Sequence, residues 1–264
     1  MTQKPFGVNL TILPTQNPPD YKAYARIVVE EGVKIVETAG RLQEVLEILK
    51  TGGCVVIHKC TSIKHAKKAE SLGVDFISID GFEAAGHIGE TDIPGLVLIR
   101  RAAMELKIPF LASGGMSDGY TLAAAIALGA CGMNCGTRFM ATVEAPMHMD
   151  IKKKLVAADE NSTILVMRRW NNTARLFRNS VSEEVAKIER ESSTGDFSEV
   201  YPLMSGARGK KVYETGDPEF GIWWAGVSAG LIKDIPTCEE LLKRIEKQYA
   251  ERVKHMASLL QAKL

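Results

Sequence analysis

Between residues 5 and 140 the chain repeats one pattern: an amphipathic, helix-like stretch, a glycine, then a short apolar run that ends in polar or glycine residues. Six such runs read as strands: Phe6–Ile12, Val33–Glu37, Cys54–His58, Asp75–Asp80, Pro109–Ala112 and Cys131–Cys135. Gly32, Gly53, Gly73 and Gly129 each stand just before a run, where the end of a helix wants a left-handed residue. The spacing leaves room for one helix per unit, except after the fourth run, where a small-residue insertion lengthens the step. Strands alternating with helices predict a parallel sheet.

After residue 144 the period changes. Residues 146–160, 181–192 and 237–260 read as helices, and Thr237 followed by Glu240 is a capping-box start for the last. Thr163–Arg168 reads as a strand, while 171–179 fits either state. The expected organisation is a barrel-type unit over 1–144 and a helical lid over 145–264 that packs on its mouth. Trp223 and Trp224 in that lid fit either a roof over a bound group or ordinary packing.

Two closures suit the repeat, an open doubly wound sheet or a (β/α)8 barrel. The loops decide. Ser113-Gly114-Gly115-Met116-Ser117-Asp118-Gly119 follows the fifth run, and Gly136-Thr137-Arg138-Phe139 follows the sixth. Adjacent glycines let consecutive amides point at one oxygen cluster, and Ser117 or Asp118 can cap the helix that begins there. Barrel enzymes place a phosphate site on the loops after strands seven and eight, with a short extra helix, here Thr137–Thr142. No GxGxxG stands after any strand, so the dinucleotide-binding alternative lacks its fingerprint. The expected fold is therefore α/β, a TIM-type barrel in which the six visible strands are three to eight, the first two being absent. Its open edges would need cover from another element or a second chain.

Val74–Glu90 (VDFISIDGFEAAGHIGE) carries the sharpest change of character, from an apolar strand to small residues surrounding one imidazole, His87. Small residues there let the backbone pass close to something flat. The imidazole titrates near neutrality, as an acid–base group must. Lys59 stands at the C-terminal end of the third strand, the active-site side of a barrel.

Composition narrows the classes. The 264 residues are 45% hydrophobic and 25% charged with a net charge of +1, an ordinary globular balance with no electrostatic footprint for nucleic acid. No apolar run reaches the ~20 residues that span a bilayer, and the N-terminus lacks a signal-peptide core, so the expected compartment is the cytoplasm. The five cysteines are odd in number and form no CxxC, against both a disulfide framework and a zinc site. No metal is expected.

The stretches PFGVNLTILPTQ (5–16), VETAG (36–40), VIHKCTS (56–62), SIDGFEAAGHIGE (78–90), LASGGMSDG (111–119), GMNCGTRFM (132–140) and NTARLFRNSVSEEV (172–185) resemble the nitronate monooxygenase (2-nitropropane dioxygenase) family of FMN-dependent barrels. They are most similar to its NADH:quinone reductase branch. The resemblance implies that Gly114, Gly115, Gly136 and Thr137 hold the FMN phosphate with Ser113 nearby. It also implies that Asn9, Thr11, Ala85 and Lys59 contact the flavin and that His87 is the active-site base or hydrogen-bond donor. Pro14 and Gln16 match a gate on the nicotinamide side, which would make NADH a possible electron donor. The implied activities are oxidation of alkyl nitronates with O2 or hydride transfer from NADH through FMN to a quinone. An inactive fragment that holds no FMN is the alternative. The FMN-dependent enoyl-ACP reductase shares the AGH loop, but the TQNPP loop fits it less well.

Overall fold

The computed structural model describes residues 4–13 and 18–261, so the proposed gate residues Pro14 and Gln16 lie outside the described residues. Six parallel strands form one sheet in the order β1-β2-β3-β4-β6-β7. They are β1 (Gly7–Ile12), β2 (Ile35–Gly40), β3 (Val55–Cys60), β4 (Phe76–Asp80), β6 (Phe110–Ser113) and β7 (Gly132–Asn134). The connecting helices are α1 (Tyr21–Glu30), α2 (Leu46–Thr51), α3 (Ile63–Ser71), α4 (Gly95–Glu105) and α5 (Gly119–Leu128). All six predicted strands are present. The second and third end later than the apolar pattern suggested, because pairing with both neighbours carries the ladder on through Thr38-Ala39-Gly40 and Lys59-Cys60.

Strand alternation explains the layering. One face of the sheet buries Leu10, Ile12, Val36, Val56, Ile77 and Ile79 against Leu49, Ala66, Leu98 and Ile99 of the helices. The other face is concave and turns Asn9, Glu37, Lys59, Ser78 and Asn134 toward one another. Its curl is strong. Asn134 on β7 and Glu37 on β2 are four strand steps apart, about 19 Å across a flat sheet, yet Asn134 Nδ2 donates to Glu37 Oε1 at 2.6 Å.

The four glycines that precede strands adopt the left-handed conformation foreseen for them, with φ from 72° to 109°. Asp118, rather than Ser117, caps α5 and forms a reciprocal box with Thr121. Thr237 and Glu240 pair as predicted at the head of the last helix.

Beyond residue 144 the chain contains more than helices. A short hairpin, β8 (Thr163–Val166) and β9 (Ala174–Phe177), pairs antiparallel with β5 (Gly86–His87), which the barrel-type unit contributes. The ambiguous stretch 171–179 thus holds a strand at its centre, Ala174–Phe177, which completes a three-stranded sheet. Around it lie α6 (Thr137–Met140), α7 (Met149–Val156), α8 (Ser180–Glu191) and α9 (Gly206–Thr215). These elements have apolar clusters of their own, one around Trp223, Phe177, Ile151 and Leu155 and another around Leu176, Val166 and Val185. The final helix, α10 (Cys238–Gln261), returns to the first unit and packs so closely on α5 that a Cβ at Gly119 would lie 2.4 Å from the Ile245 carbonyl.

The two tryptophans separate in role. Trp223 is fully buried and stacks on Phe177 with ring centroids 4.0 Å apart, whereas Trp224 is 36% exposed. Trp223→Ala should therefore destabilise the protein by about 3–5 kcal/mol, read as a lowered midpoint in urea unfolding, while Trp224→Ala should move that midpoint by much less.

Candidate functional site

The concave face gathers its polar groups at the C-terminal ends of the strands. Glu37 is the hub. Its Oε2 accepts from Asn9 Nδ2 at 2.7 Å, its Oε1 accepts from Asn134 Nδ2, and the Lys59 ammonium lies 3.8 Å from Oε2. The Thr11 hydroxyl donates to Asn9 Oδ1 at 2.7 Å, and Asn134 also reaches Ser78 at 3.3 Å. Lys59 is therefore a half-buried cation held by a carboxylate. Asn9 and Thr11 reach the mouth with part of their hydrogen-bonding capacity already committed.

The two glycine turns sit beside this floor. Gly114 and Gly115 are consecutive left-handed residues, φ 81° and 77°, a conformation that only glycine adopts at low cost. A Cβ on Gly114 would lie 3.0 Å from the Ala84 nitrogen and the Gly81 oxygen, so this turn is pressed against the 81–85 segment. Gly136, by contrast, faces open space, with nothing within 4 Å of the Cβ it lacks. Thr137 begins α6, and its hydroxyl accepts from the Gly226 amide at 2.9 Å. That bond leaves the hydroxyl's own O–H available to an anion, beside the backbone amides of the first turn. Ser113 is buried and pairs across the register with Asp80.

Three contacts from the second half of the chain fix the 81–87 segment. Arg175 Nη2 donates to the Phe82 carbonyl at 2.9 Å with its guanidinium 4.8 Å from the Phe82 ring centre. The Val227 amide donates to the Glu83 carbonyl at 3.0 Å. β9 then pairs with Gly86 and His87. Gly226 is required by the close approach, since a Cβ there would be 2.8 Å from Glu83 O and 3.2 Å from Ala85 N. Ala85, Gly114 and Thr137 are thus drawn together around one short segment that ends at His87.

His87 is half-buried, its ring 5.9 Å from that of Trp224. Its Nδ1 is sealed from solvent without a hydrogen-bond partner. Burial lowers its pKa, opposed by the backbone at Asn172 and Thr173 and by the Glu90 carboxylate, so the neutral imidazole is favoured. Glu90 is itself held by the Thr173 amide at 2.8 Å and by the Thr173 hydroxyl. A cleft of about 570 Å³ opens between His87, Glu90 and Thr173 on one side and Lys59, Gln43 and His65 on the other. A second hollow of about 340 Å³ lies at Gly114–Gly115, bounded by Glu83, Met116 and Val227. The imidazole lines the first hollow and Gly114–Gly115 the second, and the 81–87 segment connects the two along the chain.

Glu37, Asp80, Glu90 and Thr173 were not singled out from sequence. Glu37 and Asp80 carried a usable signal, as the polar members at strand ends where apolar residues would otherwise alternate. Glu90 and Thr173 carried none, being 83 positions apart. Among the described residues no group of His, Cys, Asp and Glu could hold a metal ion, and no helix is long and apolar enough to cross a membrane.

Residues 1–248 match the family model described as nitronate monooxygenase. The chain belongs to the nitronate monooxygenase family. Among family relatives, a (3aS,4S,5R,7aS)-5-hydroxy-7a-methyl-1-oxo-octahydro-1H-indene-4-carboxyl-CoA dehydrogenase of Mycobacterium tuberculosis is 27% identical over 281 residues, covering 93% of this chain and 78% of the relative. A nitronate monooxygenase of Neurospora crassa is 27% identical over 248 residues, covering 90% of this chain and 63% of the relative. Among solved structures, FabK from Thermotoga maritima superposes with a TM-score of 0.89 at 31% identity, over 98% of this chain and 80% of that one. The six-stranded α/β unit is thus of the TIM-barrel type, and the family's members are oxidoreductases.

His58 is packed inside the sheet, buried with Nδ1 2.8 Å from the Thr38 hydroxyl. Burial, helped by His65 and opposed by Thr38, lowers its pKa to about 4. Because the folded state binds this proton less readily than the unfolded chain, the stabilisation is complete above the unfolded value of 6.5 and is lost as pH falls toward 4. Wild type should lose roughly 3 kcal/mol over that window, and His58→Gln should flatten the dependence in urea unfolding measured at stepped pH.

Proposed function

We propose that this chain is an FMN-dependent oxidoreductase that oxidises alkyl nitronates with O2, with His87 as the group that handles the substrate's proton or oxygen. The observation that carries this reading is His87 itself, a half-buried imidazole that burial keeps neutral. It stands at the edge of a substrate-sized cleft, on the same short segment that packs against Gly114 and Gly226.

The residues present fit a flavin mononucleotide. Gly114, Gly115, Gly136 and the first amides of α6 would hold the phosphate, where Gly136 leaves its neighbourhood open and the glycine turn lets amides converge. Asn9, Thr11, Ala85 and Lys59 would contact the flavin, with Ser113 near the phosphate. FMN, when bound, supplies the site that accepts electrons from the substrate and passes them to O2. Lys59 places positive charge where negative charge develops, moderated by its pairing with Glu37. His87, kept neutral by burial, can accept a hydrogen bond or a proton at neutral pH, and Glu90 lies near enough to favour the protonated form once it arises. Trp224 shields one side of the imidazole.

Mixed anaerobically with the FMN-loaded protein, an alkyl nitronate should bleach the flavin and NADH should not. Bleaching by NADH alone would replace this reading with the quinone-reductase one, in which Pro14 and Gln16 form the nicotinamide gate. His87→Ala should lower turnover by about 10²–10⁴-fold with FMN retained. The wild-type rate should rise with pH through the depressed pKa of His87, a limb that the variant should lack.

A further inference from the structure

Asp80 ends β4 on the concave side, directly across the register from Ser113. Its Oδ1 is sealed from solvent and has no hydrogen-bond partner. An unpartnered buried oxygen is costly, and far more so on an ionised carboxylate than on an acid. The nearby ammonium offers limited relief, because Lys59 is paired with Glu37. Three adjacent strands thus bring two carboxyl groups and one cation together: Glu37 on β2, Lys59 on β3 and Asp80 on β4.

The two carboxyl groups differ in their hydrogen bonding. Glu37 accepts amide hydrogens from Asn9 and Asn134, one on each oxygen, besides the ammonium. Those contacts satisfy both oxygens of Glu37. Asp80 has no equivalent set, and its sealed oxygen suits the carbonyl of a neutral acid.

We propose that Asp80 acts as a carboxylic acid at the floor of the mouth, presenting its O–H as a hydrogen-bond donor to a carbonyl oxygen or ring nitrogen of the bound flavin. This rests on the flavin reading above and adds a donor to it. A neutral acid supplies that bond without setting a second negative charge beside a ring that must accept electrons. Burial raises the Asp80 pKa, opposed by Lys59 and by a hydrogen bond from Ser113 and reinforced by Glu37. The remaining titratable neighbour, Cys60, stays a thiol, its pKa pushed up to about 12 by burial and then by Asp80.

The test combines carboxyl ¹³C NMR of aspartate-labelled protein with FMN titrations followed by flavin fluorescence. The Asp80 resonance, identified by its loss in Asp80→Asn, should remain that of a protonated acid at pH 6 in the flavin-free protein. In Glu37→Gln, where Lys59 is released, it should titrate at lower pH. Asp80→Asn, whose amide still donates, should bind FMN within about threefold of wild type, and Asp80→Ala about tenfold more weakly. An Asp80 resonance that titrates near 4 in wild type, or equal FMN affinities for the two Asp80 variants, overturns the inference and leaves the flavin reading intact. A wild-type protein that takes up no FMN overturns both.

Discussion

The curl of the parallel sheet is the constraint from which the rest of the molecule follows. A flat sheet of six strands would spread the polar residues at its C-terminal ends over more than 20 Å. Curling brings Asn9 on one margin and Asn134 on the other to the two oxygens of a single carboxylate, Glu37. The apolar face packs on the helices, and Asn9, Glu37, Ser78 and Asn134 of the concave face pair across strands. A ring of functional groups then faces one opening.

That opening is completed by residues far away in the chain. The segment from Gly81 to His87 is rich in small residues and has little internal structure. Arg175, Val227 and strand β9 supply the bonds that hold it. The imidazole is consequently positioned by the second half of the chain as much as by the strand that precedes it. The two halves are not a barrel and a simple cover. The second half contributes a small sheet and apolar clusters of its own, and its last helix docks back on α5.

Relatives of this chain include a carboxyl-CoA dehydrogenase and a nitronate monooxygenase, and FabK shares its fold. One scaffold serving several oxidoreductions is expected when the reacting groups sit on loops at one end of a rigid sheet. The identity of the proton-handling group, the charge balance under the ring and the cleft outside it then select the reaction. In this chain that balance lies among Glu37, Lys59 and Asp80, three neighbours across strands that are separated by some 20 residues each in sequence.

The sequence by itself determined the repeating strands and helices, the left-handed glycines before strands, the cap at Thr237, a cap at Ser117 or Asp118, and the location of the two glycine turns. These depend on periodicity and on backbone preferences acting over a few residues. It also marked Lys59, at the end of an apolar strand, and His87, a single imidazole among small residues. Only the tertiary structure decided that Glu37 joins both sheet margins, that Asp80 is sealed without a partner, and that Trp223 packs while Trp224 faces the imidazole. It also decided that the centre of 171–179, Ala174–Phe177, becomes a strand. Each of these depends on which distant element supplies a hydrogen bond or excludes water, and neither burial nor pairing across tens of residues leaves a mark on the local pattern.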